Sequence, residues 1–260
     1  MASVVTLTTD FGTQDGYVGE MKGVLLGLNP EMILVDVTHE IGPQDIQHGS
    51  YVLSTIAGRF PQNTVHLAVV DSGVGTDRRP IIAECRGCLF IGPDNGLLTP
   101  VLRDPEVEAV HEITNTDMMA EHVSHTFHGR DIFAPVAAYA SRGSTIHAFG
   151  SSISDPVLLP VKDVSCEVNR VVGHVVDVDR FGNLITNLGV DLLGAREVIE
   201  VRVGGHTLKG VRETYGNVSQ GSALALIGSQ ATLEVSVNCG NASEAMGVAR
   251  GAEVVLVFSA

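Results

Sequence analysis

The sequence predicts an α/β domain followed by an all-β domain, and two features of the chain lead to this prediction. Up to about residue 160, short β-branched runs alternate with segments whose apolar residues recur at helical spacing, an order typical of a mostly parallel sheet. After about Val171, apolar runs are separated by turns rich in Gly, Asn and Ser, with hardly a helical window among them. We therefore expect an α/β domain over residues 1–162 and a small β-barrel or sandwich over residues 170–260.

The α/β domain is expected to begin with alternating strands and helices. The expected strands are Val4–Thr8, Ile33–Val37 and Thr64–Val70, and the expected helices are Asp15–Leu28, Asp45–Arg59 and Asp131–Tyr139. The stretch from Ser141 to Pro160 is rich in Gly, Ser and Pro, which is typical of an interdomain connection.

The all-β domain is expected to contain five strands. They are Val171–Val178, Val198–Val203, Ala223–Ile227, Leu233–Val237 and Val254–Phe258.

Composition limits the classes of partner. The chain has 260 residues, 44% of them hydrophobic, and can bury one large core or two smaller ones. A formal net charge of -14 with only 16 Lys and Arg argues against nucleic acid and favours a small or cationic substrate. No apolar run approaches the roughly 20 residues that span a bilayer, and the N-terminus lacks a basic region and a cleavage site. We expect a soluble cytoplasmic protein that does not enter a membrane.

Four cysteines give little functional information. Cys85 and Cys88 have the Cys-x-x-Cys spacing, but Cys166 and Cys239 are each alone, whereas a structural zinc site needs two more ligands at a compatible spacing. Because the pair falls between two apolar runs, a tight hairpin is favoured over a metal or redox site.

The most informative segment joins a carboxylate and a guanidinium through glycines. Val69-Val70-Asp71 leads into Ser72-Gly73-Val74-Gly75-Thr76-Asp77-Arg78, so that a strand ends in a flexible turn. Parallel strands present functional groups at their carboxyl ends, where glycines let the backbone approach a ligand. Asp71 could orient a water molecule beside the positive charge of Arg78. The alternative is a surface turn in which Asp71 caps a helix and Arg78 pairs with it.

Three further groups of polar residues stand at predicted element ends. Asp10 follows the first strand and could accept hydrogen bonds from a ribose diol, or Asp10 or Asp15 could cap the next helix. His128, at a predicted helix start, could polarise a nucleophile or be a structural histidine. The segment from Asp179 to Asn187, which includes Asn183, is predicted to be a turn whose side chains suit amino groups and heterocycle edges.

Motifs spread over nearly the whole chain resemble those of one enzyme family. They are Thr9-Asp10-Phe11-Gly12 with Tyr17-Val18-Gly19; Val37-Thr38-His39-Glu40; Val70-Asp71 with Gly73-Val74-Gly75-Thr76 and Arg78-Arg79; Gly92-Pro93-Asp94-Asn95-Gly96; Thr126-Phe127-His128-Gly129-Arg130-Asp131; Asp179 with Phe181-Gly182-Asn183; and Asn238 through Asn241-Ala242. In this order they resemble the S-adenosyl-L-methionine hydroxide adenosyltransferases, relatives of the bacterial fluorinase and chlorinase.

The resemblance implies a fold and an activity. Members have an α/β N-terminal domain and a β-barrel C-terminal domain, form homotrimers, and bind S-adenosyl-L-methionine between the N-terminal domain of one subunit and the C-terminal domain of the next. Water or hydroxide displaces methionine from ribose C5′, giving adenosine and L-methionine without a metal or other cofactor. Halide-using relatives lack the polar triad that handles water, so its presence argues for hydroxide.

The resemblance also implies a role for individual residues. The water-handling triad falls on Asp71, Arg78 and His128. The residues implied to bind substrate are Asp10 at the ribose hydroxyls; Thr126 and Phe127 at the ribose and sulfonium; Asp179 and Ser229 at the methionine moiety; and Asn183, Tyr215, Asn241 and Ala242 at the adenine.

Two positions depart from the family pattern. Ser72 stands where the family usually has proline, and Cys239 stands where glycine is common in the adenine loop. The register of that loop leaves Asn238 as an alternative to Asn241.

Two other functions remain open from the residues alone. Asp10, Asp71, Asp94, Asn95, His66 and His128 are the ligand types of a metal-dependent phosphoesterase or nucleotidase. A sensor that binds S-adenosylmethionine without turnover is the non-enzymatic alternative.

Overall fold

The computed structural model describes residues 3–194 and 196–259. The described residues divide into two compact units, the first ending at Leu159 and the second beginning at Pro160.

A six-stranded sheet forms the centre of the first unit. Its strands are β1 (Val4–Thr9), β2 (Ile33–Thr38), β3 (Val65–Val69), β4 (Pro80–Cys85), β5 (Cys88–Pro93) and β6 (Val107–Glu112). The spatial order is β2-β1-β3-β5-β4-β6. β1 is parallel to β2 and β3, and β3 is parallel to β5, whereas β4 runs antiparallel to both of its neighbours. The prediction of a mostly parallel sheet in an α/β domain is confirmed.

Helices cover both faces of this sheet. They are α1 (Tyr17–Leu28), α2 (Ile46–Ile56), α3 (Thr99–Leu102) and α4 (Ala134–Ser141), the last preceded by a π-helical turn, Gly129–Phe133. Alternate side chains of β3 point to opposite faces, as the pleat requires. Leu67 packs with Met21 of α1 and Val136 of α4, whereas Ala68 packs with Leu53 of α2. None of the helices that the structure describes is both long enough and apolar enough to cross a bilayer.

The prediction that residues 141–160 form an interdomain connection is wrong for most of their length. The Ile153 amide donates to Val110 of β6, Ser152 forms a bridge with His111, and the Leu159 amide donates to the Thr99 hydroxyl at 2.8 Å. The segment therefore belongs to the first unit, because its backbone groups pair with that unit. Composition indicates where regular structure stops, but it does not show which backbone groups the irregular segment will pair with.

The second unit is an antiparallel sheet that nearly closes on itself. Its strands are β7 (Ser165–Cys166), β8 (Arg170–Val178), β9 (Leu184–Gly189), β10 (Val198–Val203), β11 (His206–Lys209), β12 (Ala223–Ile227), β13 (Thr232–Val237) and β14 (Glu253–Phe258), and one short helix, α5 (Ala242–Met246), follows β13. The order is β11-β10-β14-β8-β9-β13-β12, with β7 paired to β8, and a bridge from Arg212 to Leu226 links the segment after β11 to β12. The sheet is therefore barrel-like.

The prediction that Asp179 to Asn187 is a turn holds only for its first part. β9 begins at Leu184 and pairs with both β8 and β13. Asn183, Thr186 and Asn187 are typical turn residues, but Leu184 and Leu188 are fully buried in the core of the barrel. Burial of these two leucines in the core outweighs the turn propensity of the polar residues beside them.

The hairpin predicted at Cys85 and Cys88 is confirmed. These residues lie opposite each other in β4 and β5, and the two residues between them, Arg86 and Gly87, have φ of 53° and 69°. Positive φ at both loop positions is the geometry of a tight type I′ hairpin turn. Both thiols are buried and free, and burial raises the pKa of Cys85 to about 11.

Candidate active site

Asp71 and Arg78 form a buried ion pair at the carboxyl end of β3. Arg78 Nε donates to Asp71 Oδ1 at 3.0 Å, and Arg78 Nη2 contacts Asp71 Oδ2. The Arg78 and Asp71 side chains are only 9% and 5% exposed, respectively. The alternative of a surface turn is therefore wrong, because this pair is shielded from solvent.

The turn between these residues depends on a glycine. Gly75 has a φ of +74°, and a Cβ atom there would lie 2.2 Å from the carbonyl oxygen of His125. Only glycine permits both this backbone conformation and such a close approach. The turn therefore packs directly against the segment that leads to His128.

His128 completes a three-residue cluster. Its Nδ1 lies 3.0 Å from Arg78 Nη2. A guanidinium can only donate hydrogen bonds, so Nδ1 of His128 must accept. Burial and the positive charge of Arg78 lower the pKa of His128. The neutral ring therefore carries its proton on Nε2, which makes that atom a hydrogen-bond donor.

One donor of Arg78 has no protein partner among the residues that the structure describes. Its Nη1 is buried and makes no hydrogen bond to them. The guanidinium carbon lies 5.1 Å from the centre of the Phe133 ring, which adds a cation–π contact to the group. Arg78 Nη1 is therefore a buried donor whose partner is not among the described residues.

A cavity of about 360 Å³ opens beside this cluster. Asp71 and His128 line it together with Thr126, Phe127 and nearby residues that include Phe11, Tyr17 and Glu20. The three aromatic rings meet edge to face, with centroids 5.3 to 6.1 Å apart. These rings give the cavity an apolar wall, and the face of an aromatic ring is the part that attracts a cation.

Asp10 lies near the cluster but is not among the described residues that line the cavity. Its Oδ2 accepts from the Gln44 amide at 2.7 Å, and the N-cap of α1 is Gly16, so that among the described contacts neither Asp10 nor Asp15 accepts from an amide of α1. The alternative that Asp10 or Asp15 caps α1 is therefore wrong. Burial raises the pKa of Asp10, the Gln44 bond partly offsets this rise, and the charge of Asp71 adds to it.

The second unit brings together four other candidate residues. Asp179 accepts from the Asn183 amide and from Asn183 Nδ2, both at 2.9 Å. Asn241 caps α5 and packs against Gly182, where a Cβ atom would lie 2.0 Å from Asn241 Oδ1. Ala242 follows and is fully buried. The turn that begins at Asp179 and the start of α5 thus form one surface.

Tyr215 and Ser229 occupy different positions in this unit. Tyr215 donates its hydroxyl to Glu234 Oε1 at 2.6 Å, and this bond raises the pKa of Tyr215 to about 12. Ser229 lies in the exposed turn between β12 and β13. Asn238 donates its side-chain amide to Val218, whereas Asn241 faces Gly182.

Glu234 is a residue that sequence reasoning missed. It is buried, and it accepts from both Tyr215 and the Ser236 hydroxyl. The sequence indicates this residue only by a charged side chain within an apolar strand, Leu233-Glu234-Val235.

The residues considered as metal ligands have other partners. His66 Nδ1 lies 2.9 Å from the Thr6 hydroxyl, and the ring stacks on Phe90 at 4.6 Å. Asp94 accepts from Arg79 and from the Val157 amide. In the described ranges, no group of three or more His, Cys, Asp or Glu side chains converges as a metal site would require.

Known proteins resemble this chain along most of its length. The family descriptions "SAM hydroxide adenosyltransferase N-terminal domain" and "SAM hydroxide adenosyltransferase C-terminal domain" match residues 5–150 and 173–255. The chain is similar to an (R)-S-adenosyl-L-methionine hydrolase of Salinispora tropica, with 39% identity over 95% of each chain. It is also similar to a Nocardia brasiliensis fluorinase, with 24% identity over 90% of each chain. A crystal structure of an uncharacterized conserved protein from Thermotoga maritima superposes with a TM-score of 0.91 at 37% identity, covering 98% of this chain and 99% of that one. The chain belongs to the SAM hydroxide adenosyltransferase family.

Proposed function

We propose that this chain hydrolyses S-adenosyl-L-methionine to adenosine and L-methionine, with water or hydroxide attacking ribose C5′. The observation that carries this proposal is the buried cluster of Asp71, Arg78 and His128 beside an aromatic-walled cavity. The cluster combines one acceptor with donors on two side chains, which are the groups that can orient a single water molecule.

The chemistry requires little from the protein at the leaving group. As the water oxygen bonds to C5′, the bond from C5′ to sulfur breaks and its electron pair stays on sulfur, so methionine leaves as a neutral thioether. One hydrogen of the water stays on the new 5′ hydroxyl, and the other is released to solvent as a proton. Because the sulfonium needs no protonation, the main tasks are to align the water in line with that bond and to exclude other solvent.

Each residue of the cluster has a distinct role in this proposal. Arg78 Nη1 and His128 Nε2 donate to the water oxygen and favour its hydroxide character. Asp71 accepts a hydrogen bond from the water and so sets its orientation. His128 acts as a donor rather than a general base, since its Nδ1 is taken by Arg78.

The remaining roles follow the family pattern. Asp10 holds the ribose hydroxyls, while Thr126 and Phe127 line the ribose and sulfonium. The residues assigned to methionine are Asp179 and Ser229, and those assigned to adenine are Asn183, Tyr215, Asn241 and Ala242. The hydrogen bonds from Asn183 to Asp179 and the contact of Asn241 with Gly182 support a common surface for the second group.

The proposed assembly is a homotrimer whose sites are shared between subunits. Family membership supports this proposal. The two groups of candidate residues also lie in separate compact units, which is compatible with a site to which two subunits contribute. We place the enzyme in the cytoplasm, where facing thiols such as Cys85 and Cys88 stay reduced.

The printed name of the Salinispora tropica relative specifies an R configuration. Because L already defines the amino acid carbon, R describes the sulfonium. We propose the same epimer for this chain.

The direct test is to incubate the purified protein with each sulfonium epimer and to chromatograph for adenosine and methionine, with and without exhaustive chelation. We expect equimolar products, faster formation from the R epimer, and the same rate in chelator. Binding without products would favour the sensor, and loss of activity that a divalent cation restores would favour metal-dependent hydrolysis.

A further inference from the structure

Asp131 is a buried carboxylate immediately behind the segment that carries Thr126, Phe127 and His128. Its side chain is 4% exposed. Its Oδ1 accepts from Arg130 Nε at 2.7 Å. Its Oδ2 accepts from Arg130 Nη2 at 3.1 Å and from the Ser124 amide at 2.8 Å.

One set of contacts leads from this carboxylate to Thr126. The Ser124 amide is fixed by Asp131, and the Ser124 hydroxyl in turn accepts from the Thr126 amide at 3.2 Å and lies 3.2 Å from the Thr126 hydroxyl. The backbone carbonyl of Asp131 also accepts from the Ala120 amide at 2.8 Å. Asp131 therefore anchors this loop at two points, and one of them governs the position of a cavity-lining hydroxyl.

A second set of contacts leads to Phe127 through Arg130. The Arg130 guanidinium lies over the Phe127 ring at 5.0 Å, and its Nη1 donates to Glu20 at 2.8 Å. Arg130, Glu20 and Phe127 all line the cavity. Asp131 and Glu20 place two negative charges against one positive charge, so the group contributes a net negative charge beside the cavity.

This charge balance matters for a cationic substrate. Without Asp131, the half-exposed Glu20 would be the one carboxylate left to pair with Arg130 among the described residues, and Arg130 would present more positive charge to a bound sulfonium. Like-charge contact weakens binding of the cation but leaves a neutral ligand of similar shape unaffected.

We propose that Asp131 is a positioning residue that holds the loop bearing Thr126 and Phe127 and neutralises Arg130, so that the cavity accepts the sulfonium cation. This inference rests on the proposed function. It goes further by assigning the discrimination of ligand charge to the Glu20, Arg130 and Asp131 group.

The test compares two ligands that differ in charge at sulfur. Dissociation constants of S-adenosylmethionine and of S-adenosylhomocysteine, a neutral thioether, are measured by calorimetry in the His128→Ala background, which limits turnover. Asp131→Asn should weaken binding of the sulfonium more than that of the thioether, shifting the ratio of the two constants by about fivefold. In the enzyme with His128 intact, kcat/KM should fall at least about tenfold.

Asp104→Asn is the matched control. Asp104 also accepts from a guanidinium, Arg86 at 2.9 Å, and from a backbone amide, Glu106 at 2.9 Å, but Arg86, unlike Arg130, does not line the cavity. This variant should leave the ratio and kcat/KM at the parental values.

Equal weakening of both ligands by Asp131→Asn would show a merely structural residue and overturn the proposal, as would an unchanged ratio. If Asp131→Asn does not fold, Glu20→Gln removes the outer partner of Arg130 and should shift the ratio in the same direction, and no shift would overturn the proposal. If the parent protein forms no adenosine, the proposed function fails, while the ligand ratio still decides the role of Asp131 in charge discrimination.

Discussion

At the residue scale, the fixed donors of Arg78 determine the chemistry available to His128. Arg78 Nη2 occupies Nδ1 of the imidazole, and burial together with the same guanidinium lowers the pKa of the ring. The neutral imidazole therefore donates through Nε2 at neutral pH. Sequence could indicate Asp71 and Arg78, because both follow a buried strand and flank a glycine turn. The tautomer of His128 and the role of Glu234 depend on contacts between residues that are distant in the sequence. The role of Asp131 depends on the contact of Arg130 with Glu20, which is also distant.

Removing His128 should affect turnover more than binding. His128→Ala deletes one donor to the attacking water and should lower kcat on the order of 10²-fold, while adenosine binds with nearly unchanged affinity. Steady-state kinetics and calorimetry with adenosine measure the two effects. His122→Ala is the control, since His122 is an exposed residue of the same loop that does not line the cavity. Parental kcat in His128→Ala would contradict the assignment.

A second histidine should make the fold sensitive to acid. Burial lowers the pKa of His66 to about 4, whereas the unfolded chain titrates near its ordinary value of about 6.5. Between these values the unfolded state binds the extra proton, so the free energy of unfolding should fall as pH drops from about 6.5 to 4, by about 3 kcal/mol at most.

Urea unfolding of the parent and of His66→Gln from pH 7.5 to 4.5 measures this contribution. The difference in free energy between the two proteins should change with pH over that window. A constant difference would show that His66 does not titrate in this way.

At the element scale, one glycine lets the turn after β8 pack against the start of α5 in the barrel-like unit. Gly182 has a φ of +82°, and the Ser243 amide donates to its carbonyl at 2.9 Å. The side chain of Asn241 lies against the position where any other residue would place Cβ. The turn after β8 and the start of α5 can meet only if this position has no side chain.

Gly182→Ala should therefore displace Asn241 and raise the KM for S-adenosylmethionine by about tenfold or more, with a smaller change in kcat. Gly205→Ala is the matched control, because Gly205 has a φ of +80° and a Cβ atom added there would have no neighbouring atom within 4 Å. It shares the backbone strain but not the clash. Equal KM values in both variants would mean that the turn after β8 and the start of α5 do not form one binding surface.

Elements with strong patterns are predictable from the sequence, and those determined by tertiary pairing are not. Strands such as β3 and β14 follow from their apolar runs, and α1 from its helical spacing. β9 escapes prediction because its turn-forming residues pair with β8 and β13 only in the folded barrel. The segment from Ser141 to Pro160 resembles a connection because its composition does not show that it pairs with β6.

At the scale of the whole molecule, the candidate residues belong to two compact units. Asp71, Arg78 and His128 lie in the first unit, and Asp179 and Asn183 lie in the second. The sequence predicts both units and most of their candidate residues, because element order and motif order are linear properties of the chain. Subunit arrangement is not such a property, and the homotrimer is therefore proposed from family membership.

Mixing two inactive variants tests the shared site. Under subunit exchange, Asp71→Asn and Asp179→Ala should together recover part of the adenosine formation, since some sites would receive both parental residues from different chains. Each variant alone under the same exchange conditions is the control. A mixture that exchanges subunits, as mass spectrometry can verify, yet stays as inactive as either variant alone would exclude a site shared between chains.

The proposed reaction is the attack of water on ribose C5′ of S-adenosyl-L-methionine. Turnover in H₂¹⁸O followed by mass spectrometry of both products tests it most directly. We expect one ¹⁸O atom in adenosine, at the 5′ hydroxyl, and none in methionine. Adenosine without ¹⁸O, or ¹⁸O in methionine, would contradict it.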